Sequence, residues 1–157
     1  NFLMSETPSV LIVEGRFYDD IADELARGAA AVLDEAGMNY ERLAVPGAFE
    51  VPQAIRFAIR SMEIGSAMSR YAGFIGFGCV IRGETSHYDY VCQESTRALM
   101  DIAMKYSVAL GYGILTVENR DQAWERADVS KKNKGGDVAS ACLRMMDVKK
   151  HFRLVPR

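Results

Sequence analysis

Apolar residues recur along this chain in two alternating periods. Short runs rich in β-branched residues (10–13, 74–81 and 108–117, with a weaker one at 40–45) each end in a polar or glycine-bearing turn, Glu14-Gly15 after the first. Each is followed by a longer stretch in which apolar residues return at spacings of three and four, the mark of an amphipathic helix after a strand. The first helix is the clearest. Ile21, Leu25, Ala29, Val32, Leu33 and Ala36 repeat between Asp, Glu and Arg, and Gly37 supplies the stop. Pro52 fits the first turn of a second helix with Ala54, Ile55, Ala58, Ile59 and Met62 on its buried face. A third carries Val91, Cys92, Ser95, Leu99, Ile102 and Tyr106 on one side, after the run 74–81. Residues 65–70 read as a surface loop. Glycines 111 and 113 lie in the fourth strand, and Asn119 with Gln122 resembles a capping box that starts a short helix holding Trp124, Glu125 and Arg126. A last helix, residues 134–149, is expected to bury Val138, Ala141, Cys142, Met145 and Met146.

The order strand, helix, strand, helix, strand, helix, strand, helix, helix predicts an α/β fold. Its parallel sheet is covered on both faces, giving a three-layer α/β/α sandwich joined by right-handed crossovers. At 157 residues, 49% of them hydrophobic, the chain has material for one buried core. Residues 1–153 are read as that single domain, and 154–157 (LVPR) as the remnant of a protease-cleavable tag. A formal net charge of −2 without a basic stripe argues against nucleic acid as a partner. No apolar run reaches the length of a membrane span and the N-terminus lacks the pattern of a signal peptide, so a cytoplasmic location is expected. Cys79, Cys92 and Cys142 lie in apolar patterns without CxxC spacing and are expected to be buried free thiols, not a disulfide or zinc site.

Candidate chemistry gathers where strands hand over to helices. In a parallel sheet the residues after each strand meet at one edge, where open α/β sheets bind ligands. That edge would hold Phe17, Phe49, Glu50 and the loop Gly83, Glu84, Thr85, Ser86, His87. His87 suits acid–base work near neutral pH, although a histidine at a helix start is as often a plain surface residue. The 83–85 backbone and the Thr85 hydroxyl suit one phosphate at a helix N-terminus, with Glu84 turned away; the bland alternative is a turn. Neither GxGxxG nor GxxxxGK[ST] occurs. Arg126 reads equally as a solvated helix residue, Lys134 with Asp137 as a surface pair, and Tyr112 as core or stacking surface.

Longer motifs carry more. VPGAFEVP (45–52), GCVIRGETSHYDYV (78–91), GILTVENRDQAWERA (113–127) and NKGGDVA (133–139), with GRFYDD (15–20), resemble the lumazine synthase family in order and spacing. The resemblance covers roughly residues 9–152 and implies a four-stranded parallel sheet with flavodoxin-like winding. The implied activity is condensation of 5-amino-6-(D-ribitylamino)uracil with 3,4-dihydroxy-2-butanone 4-phosphate. It releases phosphate and water and uses no cofactor or metal. The steps are imine formation, phosphate elimination and ring closure, all proton transfers around two positioned substrates.

The resemblance implies that Phe17 stacks on the uracil ring and that the backbone of Cys79, Val80 and Ile81 reads its edge. Ala48, Phe49 and Glu50 would hold the ribityl chain. Gly83, Glu84 and Thr85 would bind the phosphate with Arg126, and His87 would move protons with Lys134 and Asp137 nearby. Tyr112 corresponds to a position that stacks on substrate from a neighbouring subunit. The implied partners are therefore the two small-molecule substrates, inorganic phosphate and further copies of the chain. The family forms pentamers, pentamer pairs or icosahedral shells. The short stretch before Val10 and the DVSKK connection (128–132) favour a pentamer or a pair. The rival reading is a flavin- or lumazine-binding carrier without turnover, which would need neither the phosphate site nor the base.

Overall fold

The computed structural model describes residues 7–67 and 70–154. Four strands and five α-helices follow one another in the expected order: β1 (Ser9–Gly15), α1 (Asp19–Glu35), β2 (Asn39–Val45), α2 (Val51–Glu63), β3 (Tyr71–Ile81), α3 (His87–Tyr106), β4 (Leu110–Val117), α4 (Arg120–Ala127) and α5 (Lys134–His151). One turn of 3₁₀ helix, Ala48–Glu50, leads into α2, where Pro52 occupies the first turn. Gly37, at φ 67°, turns the chain out of α1. The Asn119 side chain caps α4 by accepting from the Gln122 N–H at 2.8 Å, as expected. The Gln122 side chain instead accepts from the Glu118 N–H.

All strand pairs are parallel and the sheet order is β2-β1-β3-β4. The winding reverses between β1 and β3, the topological switch point of flavodoxin-like sheets. Successive β1 side chains face opposite ways. Val10 and Ile12 join a core with Ile21, Leu25 and Leu33 of α1, Ala123 and Ala127 of α4 and Val138 and Cys142 of α5. Leu11 and Val13 join Ile55 and Ile59 of α2 and Leu99 and Ile102 of α3 on the other face. Helices α1, α4 and α5 therefore cover one side of the sheet, and α2 and α3 the other. No helix among the described residues is long and apolar enough to cross a membrane.

The structure corrects several expectations in detail. Glu14 and Gly15 do not form the turn after β1 but are its last residues, and the Glu14 side chain is buried. Strand β2 lies at the sheet edge with most of its residues exposed, which is why its apolar signal is weak. On α5 the buried stripe runs through Val138, Ala139, Cys142 and Met146, while Ala141 and Met145 face outward, about 100° round the helix from it. Cys92 is only partly buried, because it sits on the flank of α3 and not on its core stripe. Of the 65–70 loop, residues 68 and 69 lie outside the described residues, as do 155–157 of the tag-like end; Leu154 is exposed.

Candidate active site

Parallel pairing brings the ends of β1, β2 and β3 to one edge, and a cleft of about 540 Å³ opens there. Its walls come from four stretches: Phe17 and Tyr18 after β1, residues 46–50 after β2, Cys79, Val80 and Ile81 at the end of β3, and His87, Tyr90, Val91 and Glu94 along the first turns of α3. The lining is mainly apolar and aromatic, with Glu50, His87 and Glu94 as the groups able to accept or move a proton. That mixture suits a small planar ligand with polar substituents.

Each wall has a local cause. The register of β3 with β1 stops at Glu14 against Phe77, while its pairing with β4 continues to Ile81 against Val117. On the β1 side, Cys79, Val80 and Ile81 therefore have no strand partner, and that backbone edge borders the cleft. The floor is tight. A Cβ added to Gly15 would lie 2.6 Å from the Gly47 carbonyl carbon and 2.9 Å from the Ala48 nitrogen, so only glycine lets β1 end against the 46–50 turn. The Arg16 N–H donates to the Val45 oxygen at 3.0 Å and closes the same junction. Phe17 projects with 73% of its surface exposed and meets the Tyr18 ring in a T-shaped contact at a centroid distance of 4.9 Å.

The cleft brings together Phe17, Ala48, Phe49, Glu50, Cys79, Val80, Ile81 and His87. The loop carrying Gly83, Glu84 and Thr85 is exposed and immediately precedes α3; the Thr85 hydroxyl accepts from the His87 N–H at 3.3 Å. The other four expected residues do not reach the cleft of their own chain. Tyr112 lies on the opposite flank of α3, its hydroxyl 2.9 Å from that of Thr96. Arg126 donates to the Gln122 carbonyl within α4. Lys134 and Asp137, expected beside His87, stand in the first turn of α5 on the α1 face of the sheet, whereas His87 begins α3 on the other face. The connection after β4 carries the chain to the α1 side, where both α4 and α5 lie, and this separates them.

Tyr18, Tyr90, Val91 and Glu94 line the cleft without having been singled out as site residues. The last three follow His87 by three, four and seven positions, the spacing of one helix face, so periodicity from the histidine would have found them. Burial pushes the Cys79 thiol up to about 12. The Cys142 thiol, donating to the Phe74 oxygen, is likewise pushed up to about 12 by burial, and Cys92 is raised less steeply for the same reason. Raised thiols stay protonated at neutral pH and react slowly. In the folded protein at pH 8, iodoacetamide should therefore label Cys92 first and Cys142 last, with Cys79 and Cys142 becoming reactive on denaturation. Peptide mass spectrometry reads the order, and early labelling of Cys142 would contradict it.

An apolar, His-bearing cleft at the switch point of a flavodoxin-like sheet defines a small-molecule-binding α/β domain. Comparison with known proteins makes this specific: residues 7–150 match the family model for 6,7-dimethyl-8-ribityllumazine synthase, and the chain belongs to that family. It is 50% identical over 145 residues to the 6,7-dimethyl-8-ribityllumazine synthase of Paramagnetospirillum magneticum, covering 92% of this chain and 97% of that one. It is 52% identical over 143 residues to the Agrobacterium fabrum protein of the same name, covering 91% and 95%. The 6,7-dimethyl-8-ribityllumazine synthase 1 of Rhizobium meliloti is also 52% identical over 143 residues, covering 91% and 92%. The chain is thus an enzyme, a transferase of riboflavin biosynthesis that condenses the ribitylaminouracil with the butanone phosphate. Family membership favours turnover over the carrier reading.

Proposed function

We propose that the cleft between the 16–18 and 46–50 turns, the end of β3 and the start of α3 is where the two substrates meet. The observation that supports this most is convergence: eight of the expected residues, drawn from four separate stretches, line one cavity. In this reading Phe17 stacks on the uracil ring and the unpaired edge of Cys79, Val80 and Ile81 hydrogen-bonds its polar rim. Ala48 and Phe49 flank the ribityl chain, and the Glu50 carboxylate accepts from its hydroxyls.

The butanone phosphate then lies toward the start of α3. There the positive end of the α3 dipole and the Gly83, Glu84, Thr85 backbone favour an anion, with the Glu84 carboxylate directed away. Gly83 has open space where a Cβ would be, so the glycine serves close approach and not the fold. His87 stands between the two ends of the cleft and transfers protons during imine formation, phosphate elimination and ring closure, with inorganic phosphate and water released.

Tyr112, Arg126, Lys134 and Asp137 enter this reading from another copy of the chain, since their own chain keeps them out of its cleft. We therefore assign the protein to cytoplasmic homopentamers with sites shared between neighbours, Arg126 closing on the phosphate with its planar fork. Sedimentation giving a stable monomer that still turns over would remove the shared site.

The test of the function is incubation with both substrates, following lumazine fluorescence and phosphate release. No turnover at ample protein, with flavin binding intact, would return the carrier reading. For His87→Ala, turnover should fall by about tenfold to a hundredfold, at the low end of general acid–base effects, with binding of the pyrimidine retained. An unchanged rate would take His87 out of the proton transfers.

A further inference from the structure

Phe17 is the most exposed of the large hydrophobic walls of the cleft, with 73% of its surface in solvent. An aromatic that stacks on a ligand must be held in place before the ligand arrives, or ordering it reduces affinity. Its placement here depends on the backbone of residues 16–18, which the Arg16 N–H ties to Val45 and which one guanidinium spans from end to end.

Glu14, 2% exposed at the end of β1, accepts from Arg16 Nη1 at 2.6 Å and from Arg42 of β2, Nε at 2.5 Å and Nη2 at 3.0 Å. The rest of the Arg16 fork turns to α1. Nε donates to Asp19 Oδ1 at 2.9 Å, and Nη2 donates to Asp23 Oδ1 at 2.6 Å and to the Asp19 carbonyl at 3.3 Å. Arg16 therefore ties the end of β1 to the first turns of α1 across the residues between them, which are Phe17 and Tyr18. A buried carboxylate already held by Arg42 is a fixed anchor, whereas the exposed Asp20 to Arg120 pair on the far side of the turn is a weak one. Neither Glu14 nor Arg16 lines the cleft.

We propose that Arg16, anchored on buried Glu14, is a positioning residue that presets the Phe17 wall for the pyrimidine ring. The proposal rests on the pyrimidine placement given above. It separates Arg16 from a plain stabilising ion pair by predicting an effect on one substrate only, and only while Phe17 is present.

The experiment is a double-mutant cycle of Arg16→Met and Phe17→Ala. The readouts are kcat, KM for each substrate, Kd of 6,7-dimethyl-8-ribityllumazine by fluorescence, and circular dichroism to establish folding. Arg16→Met should raise the pyrimidine KM and the lumazine Kd by about tenfold, the scale of ordering a short turn on binding. KM for the butanone phosphate and kcat at saturation should hold. In the Phe17→Ala background the same substitution should add less than about twofold. Arg16→Lys keeps a charge beside Glu14 without the fork and should lose about threefold; it carries the same cycle if Arg16→Met does not fold. An unchanged pyrimidine KM in a folded variant, an equal effect on both substrates, or a full effect without Phe17 would each overturn the proposal. A Phe17→Ala protein with an unchanged pyrimidine KM would show instead that the pyrimidine placement itself is wrong, and the inference with it.

Discussion

Replacing Gly135 with alanine is expected to lower the melting temperature by about 10 °C, against the direction that helix propensity alone predicts. Inside a helix, Gly→Ala normally stabilises by ~1 kcal/mol. At Gly135, in the first turn of α5, an added Cβ would lie 2.0 Å from the Leu25 carbonyl oxygen, 2.8 Å from its carbonyl carbon and 3.0 Å from its Cα. Those atoms are the backbone of an interior turn of α1 and cannot rotate aside as a side chain can. The two helices would have to part by roughly 1 Å, opening the neighbouring contact in which Gly28 meets the Asn133 side chain and the Gly136 nitrogen. Overpacking typically costs about 1–3 kcal/mol and occasionally more; against backbone that cannot move aside, about 4 kcal/mol leaves ~3 kcal/mol after the propensity gain. For a domain of this size that is about 10 °C. Thermal melts at matched protein concentration check it, since any self-association would make the midpoint concentration-dependent. An unchanged or raised midpoint would mean that α1 and α5 are held less closely than the structure has them.

The architecture was legible because strand and helix periods differ. The α1 stripe from Ile21 to Leu33 and the run 74–81 leave little choice, and their alternation implies parallel pairing and one ligand-binding edge. The 40–45 strand was legible too, but faintly, because it is an edge strand (residues 39–45) with most of its side chains exposed. What failed was local. On α5 a stripe carrying two glycines and small residues has little apolar contrast, and the outward Ala141 and Met145 were read as part of it. Glu14 was read as a turn residue because its type is polar; only the arginines at 16 and 42, one of them on another strand, explain its burial.

The same division holds at the site. Phe17, residues 48–50, 79–81 and His87 follow from where strand ends must meet. Tyr90, Val91 and Glu94 were within reach of the helix period and were passed over. Arg126, Lys134, Asp137 and Tyr112 resisted placement because their position depends on which face each crossover takes and, in the reading above, on a second copy of the chain. Neither is encoded in local pattern.

The largest effect on substrate recognition is expected from Phe17→Ala. Stacking of one base on an aromatic side chain is worth ~1–3 kcal/mol by alanine substitution, so the pyrimidine KM should rise by about 10- to 100-fold. The interaction is made with the ring in ground state and transition state alike, so kcat should change little. Stability should barely move. With 73% of its surface exposed, Phe17 contributes little burial to the fold, and such surface changes fall within about 0.5 kcal/mol. Its neighbour supplies the contrast. Tyr18 is partly buried against the α1-side core, and that burial raises its phenol. Tyr18→Ala should therefore lower the melting temperature by several degrees as well as weaken binding. Phe17→Trp, which preserves a stacking face, should restore most of the affinity lost in Phe17→Ala. A Phe17→Ala protein with an unchanged pyrimidine KM would place the ring elsewhere in the cleft. One that bound normally but melted early would make Phe17 a structural residue despite its exposure. Affinity falling with stability held is the pattern that a preset, solvent-facing stacking wall requires.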